Sequence, residues 1–236
     1  DGDEGACTGV VDSAGNTWTK GVEFTNGQGS AQAGATVGIF YCVATTQLTS
    51  GGTITLSFSN NTSRDASAAS AWEFTKSATH NIVVEKTGTL ANDAADPGSL
   101  NVTTINVAKL RIRAIASETN STTALTVTTN WTAMTGDRSG SGSATSNQTI
   151  RGEFRISSGT SDASDPTYVS ADHASAYLAL REVPFIAAAQ GSYTLSGQSV
   201  NLQHKYPLVA AQGSYTYTGQ SADLKHGYPL VAVQGA

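Results

Sequence analysis

Little of this chain is charged: 13% of its 236 residues are Asp, Glu, Lys or Arg, and the balance is −5 at neutral pH. No basic stripe exists to neutralise phosphates, so nucleic acid is not an expected partner. Aromatic residues are sparse at 7%, so the expected core is built from Val, Ile, Leu and Ala. No apolar run approaches the roughly 18 residues of a spanning helix, so membrane insertion is not expected either. With two cysteines and four histidines, a metal centre of the zinc type lacks ligands. No stretch holds a helical period over three turns. The chain has no Gly-x-Ser-x-Gly elbow, no phosphate-cradling glycine loop and no His-Glu-x-x-His helix. An initiating methionine and a signal peptide are also missing, so Asp1 reads as a processed or trimmed start.

What the chain does have is Thr, Ser, Ala and Gly, with 24 glycines, a composition suited to short strands joined by tight turns. Val10–Thr19 reads as strand, turn, strand, with Asp12, Gly15 and Asn16 supplying the turn. Thr36–Val43 and Thr53–Ser59 alternate strongly, and Ser50-Gly51-Gly52 between them predicts an antiparallel pair. Further strands are expected at Ala71–Phe74, Ile82–Val84, Lys109–Ala116, Ala124–Thr129, Thr149–Ile156 and Ala174–Leu180. In Lys109–Ala116, Leu110, Ile112 and Ala114 share one face, and Arg111 and Arg113 the other, which is expected to be solvated, with arginines that meet carboxylates or a sugar acid as the alternative. Thr135–Asn147 is expected as the longest polar loop. These elements give an all-β fold class: an antiparallel β-sandwich over residues 1–182, of jelly-roll or immunoglobulin-like type.

The remainder, 183–236, repeats itself. Gln190-Gly191-Ser192-Tyr193-Thr194 returns as Gln212-Gly213-Ser214-Tyr215-Thr216, and Tyr206-Pro207-Leu208-Val209 as Tyr228-Pro229-Leu230-Val231. The period is 22 residues (213 − 191), and a third copy opens at Gln234-Gly235. Tyr193 and Leu195, then Tyr215 and Tyr217, alternate with polar residues in the strand pattern. Gly197 and Gly219 sit where a tight turn separates two short strands, and Pro207 and Pro229 punctuate the second half of each copy. A unit this short cannot bury an apolar face alone, so copies must stack on one another, on the sandwich or on another subunit. Tyr193, Leu195, Pro207, Tyr215, Tyr217 and Pro229 are therefore the candidate assembly residues.

Candidate chemistry is thin. Asp1, Asp3 and Glu4 form an acidic start, and Asp93-Ala94-Ala95-Asp96-Pro97 resembles Asp162-Ala163-Ser164-Asp165-Pro166. Oxygen ligands at that density are calcium candidates, against the plainer reading of Asp as a turn opener before Pro. Cys7 and Cys42 form a candidate disulfide closing 35 residues (42 − 7), with two free thiols as the open alternative. His173 beside Asp172 is a formal acid–base candidate, against a capping or surface histidine. Trp131, in Asn130-Trp131-Thr132, is the candidate to stack on a sugar. Six Asn-x-Ser/Thr sequons occur, at Asn60, Asn61, Asn101, Asn120, Asn130 and Asn147. A glycosidase needs two carboxylates across a cleft, and nothing in the sequence selects a pair.

Val11-Asp12-Ser13-Ala14-Gly15-Asn16-Thr17-Trp18, Ala71-Trp72-Glu73-Phe74 and Arg151-Gly152-Glu153-Phe154-Arg155 resemble a family of β-sandwich proteins of tailed bacteriophages and marine viral metagenomes. The Gly-Ser-Tyr-Thr-Leu-Ser-Gly-Gln repeat resembles short C-terminal repeats of phage virion proteins. The resemblance implies a strand before the acidic start, here missing, cleaved or supplied by a neighbour, and it carries no catalytic residues. It implies a non-enzymatic structural protein on the virion surface: a capsid decoration, tail or fibre component. The expected partners are other copies of itself and other virion proteins, with host cell-surface glycan as a further candidate. The alternative is a glycan-binding adhesin module, with Trp131 and loop carboxylates contacting sugar. No cofactor is expected beyond the calcium candidate.

Overall fold

The computed structural model describes residues 6–27, 34–58, 66–92, 96–140, 147–184, 186–188, 192–197, 208–210 and 214–219. Every regular element among them is a strand: β1 (Cys7–Asp12), β2 (Thr19–Asn26), β3 (Ala35–Tyr41), β4 (Ile54–Phe58), β5 (His80–Asn92), β6 (Lys109–Glu118), β7 (Thr132–Arg138), β8 (Gln148–Ser157), β9 (His173–Pro184), β10 (Ile186–Ala188), β11 (Ser192–Gly197), β12 (Leu208–Ala210) and β13 (Ser214–Gly219). The chain divides into two compact units, Asp1–Phe74 with Val83–Arg181, and Thr75–Ile82 with Glu182–Ala236.

The first unit is an antiparallel β-sandwich. Its main sheet runs β5-β9-β6-β8-β7, with β1–β4 and β2–β3 as separate pairs. Strand β6 lies centrally, antiparallel to β8 with Arg113 opposite Glu153, and to β9 with Arg113 opposite Tyr177. Successive residues point to opposite faces, so Ile112 and Leu178 share one face and Arg111, Arg113 and Tyr177 the other. The β2–β3 pair covers the first of these: a Cβ on Gly21 would lie 2.9 Å from Leu178 Cδ2 and 3.3 Å from the Ile39 carbonyl. The Asn26 side-chain amide donates to the His173 carbonyl at 2.9 Å at the end of the same face.

The turn between β1 and β2 is built on Asp12. Its carboxylate accepts from the backbone of Ala14 and Asn16, both at 3.0 Å, from Asn16 Nδ2 at 3.1 Å and from the Trp18 indole at 2.9 Å. Desolvation works to raise its pKa, but the donors at Asn16, Trp18 and Ala14 together hold the carboxyl below its ordinary range. Asn16 Oδ1 then accepts from the backbone of Thr45 and Thr46 at 2.9 and 3.0 Å. This contact redirects the chain after β3. The expected pairing of Thr36–Val43 with Thr53–Ser59 does not form; β3 pairs with β2 and β4 with β1.

Three other expectations are corrected. Ala71–Phe74 joins no ladder; Trp72 and Phe74 instead pack on Phe154, with ring centroids 6.0 and 5.0 Å away. Ala124–Thr129 contributes one bridge, Thr126 to Thr167, because the backbone N–H of Thr128 goes to the Glu153 carboxylate at 2.7 Å. Part of the expected loop Thr135–Asn147 is strand β7, paired with β8 through a bulge between Met134 and Asp137. An edge strand carries polar residues on both sides, which is why Thr132–Arg138 reads as loop.

In the second unit, Lys76 Nζ donates to the carbonyls of Ser77 and His80, and the Ser77 N–H donates to Glu182 Oε1 at 2.8 Å. The repeats pair in parallel: Ile186 with Leu208 through Ala188 with Ala210, and Ser192 with Ser214 through Gly197 with Gly219. Both registers are offset by 22 residues (208 − 186; 214 − 192), so each copy lies on its counterpart with equivalent residues side by side.

Candidate functional site

The deepest part of the sandwich is polar. Arg111 and Arg113, expected on a solvated face, are both 0% exposed. The cause is a lid of two irregular segments. Leu100 and Ser164 exchange backbone hydrogen bonds at 2.8 and 3.0 Å, and the Thr104 N–H donates to the Thr160 carbonyl at 2.8 Å. These straps lie over the arginine face without a regular ladder. Their carbonyls therefore need donors from elsewhere, and a buried guanidinium brings five.

Arg113 Nη1 donates to the carbonyls of Gly98 and Ser164, both at 2.7 Å, and to Ser164 Oγ at 3.2 Å. Its Nη2 donates to the Pro97 carbonyl at 2.7 Å and Ser175 Oγ at 3.0 Å. Glu153, also buried, balances the charge across the β6–β8 register. Its Oε1 accepts from Ser164 Oγ at 2.6 Å and Thr128 Oγ1 at 2.8 Å. Burial pushes Arg113 down to about 10, opposed by Glu153, Asp165 and Asp96, so it stays charged at neutral pH.

Two residues earlier on the same face of β6, Arg111 donates to Tyr177 Oη at 3.2 Å, Thr104 Oγ1 at 3.0 Å and the Gly159 carbonyl, and pairs with Asp162 at 3.0 Å. Arg155 takes the other Asp162 oxygen at 2.9 Å. Lys109, buried beside them, donates to the carbonyls of Ile105 and Gly159, and burial lowers its pKa. The two look-alike Asp-x-x-Asp-Pro loops are thereby brought together around one guanidinium: Arg113 is bonded to Pro97 in one and Ser164 in the other.

This geometry answers the calcium candidates. Asp162 is committed to two arginines, and Asp96 Oδ1 accepts from the Gly98 N–H at 2.9 Å in a turn. Asp165 donates its own backbone N–H to Thr128 Oγ1 at 2.6 Å. Among the described residues no group of three or more Asp, Glu, His or Cys side chains is placed to hold a metal ion. Asp1, Asp3, Glu4 and Asp93 lie outside the described residues.

Trp131 is the clearest correction. The sugar-stacking expectation needs an exposed ring, but Trp131 is 6% exposed and packs with Leu100, Val102, Tyr177 and Ala179. Asn130 takes a left-handed φ of 66° and the Trp131 N–H donates to the Thr128 carbonyl at 2.9 Å, so the turn swings the indole inward. Its ring meets Tyr177 edge-on at 6.1 Å. Trp72 is the exposed tryptophan.

His173 is buried rather than solvent-facing. Its Nε2–H donates to the Val169 carbonyl at 3.0 Å, which leaves Nδ1 to accept from Ser117 Oγ at 2.7 Å. Burial lowers its pKa, so the ring is held neutral. It ties the turn before β9 to β6, and both ring nitrogens are engaged, so it has no open side for a substrate proton. Cys7 and Cys42 are free thiols: Cys7 opens β1, while Cys42 follows β3 within the field of Asp12, at the far end of β1. Burial raises the pKa of both.

The sequence reading missed Arg111, Arg113 and Glu153 as a unit. A signal was present: Lys109, Arg111 and Arg113 alternate with apolar residues, and Glu153 sits in Arg-Gly-Glu-Phe-Arg, within a strand of matching length. Of the assembly candidates, Tyr193, Leu195, Tyr215 and Tyr217 lie in the stacked strands, Tyr193 beside Tyr215 and Leu195 beside Tyr217. Pro207 and Pro229 lie outside the described residues. No protein-family model, curated protein or solved structure matches this chain.

Proposed function

We propose that this chain is a non-enzymatic structural protein on the surface of a tailed phage virion, a capsid decoration, tail or fibre component. The sandwich presents its loops to solvent and the repeat tail makes the contacts of assembly. The observation that carries this reading is the parallel stacking of the tail at its own 22-residue period. Translational stacking of identical units is a building mode of extended assemblies rather than of catalytic clefts. The polar groups buried in the sandwich support it: the arginines bond to straps and turns, and the Ser117–His173 hydroxyl–imidazole pair is fully buried, 0% exposed on both sides. The competing reading, a glycan-binding adhesin, has its best stacking residue, Trp131, in the core.

The test is electron microscopy of native source material with a gold-labelled antibody to this chain. Label on capsids or tails is expected. Label confined to cell surfaces or secreted filaments sinks the virion assignment and promotes the adhesin.

A further inference from the structure

We infer that the repeat tail joins neighbouring copies of this chain head to tail, the second coil of one copy adding as a parallel, in-register strand to the open edge of the first coil of the next. This deepens the reading of the tail as the assembly element and rests on it. The contact inside one chain is already a contact between a segment and its own copy: Ser192–Gly197 lies on Ser214–Gly219, and Ile186–Ala188 on Leu208–Ala210. A surface that binds its own repeat by translation serves equally well between chains, and such an interface is heterologous rather than two-fold.

Each coil has two edges, and in the described residues β11 pairs with β13 alone. No earlier copy within the chain fits the other edge of β11. The positions 22 residues before it are Ser170–Ser175, which read Ser-Ala-Asp-His-Ala-Ser and end inside β9. Those before β10 are Ser164-Asp165-Pro166, part of the strap over Arg113. Edge strands that are meant to stay single usually carry Lys, Pro or an inward charge. Ser-Tyr-Thr-Leu-Ser-Gly and Ser-Tyr-Thr-Tyr-Thr-Gly carry none of these. Nothing repels an in-register neighbour, and an unpaired backbone edge is a template for strand addition.

The experiment uses full-length chains in a Cys7→Ser, Cys42→Ser background, each carrying one further substitution, Ser192→Cys or Ser214→Cys. Parallel neighbours sit about 4.8 Å apart, inside the ~4.4–6.8 Å Cα range of a disulfide. With the two native thiols removed, neither variant has a disulfide partner within its own chain, so a 192–214 bond can form only between chains. On mild oxidation of the mixture, a shift from monomer to dimer is expected, with the 192–214 link found by mass spectrometry. Either variant alone, and Ser192→Cys mixed with the out-of-register Thr218→Cys, should stay monomeric. Failure of the mixture to form the 192–214 link overturns the inference. Equal cross-linking of Ser192→Cys with itself also overturns it, because that is two-fold pairing. Cross-linking without gold label on virions would remove the location and leave this interface standing; label without cross-linking would do the reverse.

Discussion

Replacing Arg113 with methionine keeps most of the volume and removes every donor from the middle of the polar core. The backbone carbonyls of Pro97 and Gly98 lose this donor, the Ser164 carbonyl keeps only the Leu100 N–H, and Ser164 Oγ and Ser175 Oγ each lose a contact. The Glu153 carboxylate is left buried without its cation. Leaving a buried charge without its compensating cation costs about 3–5 kcal/mol. For a domain of this size each kcal/mol moves Tm by about 2–4 °C, so a fall of roughly 6–20 °C is expected. Arg113→Lys restores the charge but not the fork: an ammonium reaches Glu153 or the strap, not Pro97 and Ser175 together, so it should recover only part of the loss. The Arg113→Met, Glu153→Gln double variant should be less damaged than the sum of the singles, since the unpaired charge is gone. Thermal denaturation followed by near-ultraviolet dichroism reads each of these proteins beside the parent. A Tm for Arg113→Met within about 2 °C of the parent, less than 1 kcal/mol, would refute the claim that this guanidinium holds the straps down.

Other parts of the sandwich give three more expected outcomes. His173 is held neutral in the fold while the unfolded chain takes a proton near its ordinary pKa of 6.5, so stability should fall as pH drops below that value. The slope from this residue is at most about 1.4 kcal/mol per pH unit, and melts at about pH 7.5 and 5.0 should differ less in His173→Gln than in the parent. Gly152→Ala should cost about 1–3 kcal/mol by urea denaturation, because the new Cβ meets the Arg113 carbonyl at 2.8 Å and Met134 Sδ at 3.3 Å between three strands. Dithiothreitol should leave Tm unchanged, and thiol reagents should label Cys7 and Cys42 slowly until denaturant is added; a drop in Tm on reduction would reveal a disulfide.

The class of the fold and the unit of the tail were legible in the residues alone. Period-two alternation at Lys109–Ala116, Thr149–Ile156 and Ala174–Leu180 depends only on which residues fit a pleat, so β6, β8 and β9 could be read directly. The 22-residue period was equally plain, and the register of β11 on β13 follows it because identical units stack with equivalent residues adjacent. Tertiary contacts settled everything that depends on what covers a face. Alternation separates Arg111 and Arg113 from Ile112 but cannot say which side is wet, and here the straps at residues 97–104 and 159–166 dry the arginine side. Burial likewise turned Trp131 from a surface ring into core, through one left-handed residue at Asn130. Strand pairing was not local either: the Ser50-Gly51-Gly52 turn is real, with the Gly52 N–H donating to the Thr49 carbonyl at 2.8 Å, yet Asn16 holds Thr45 and Thr46 and sends β4 to β1. A turn signal constrains about four residues, whereas the partner of a strand is fixed by contacts that arrive from far along the chain.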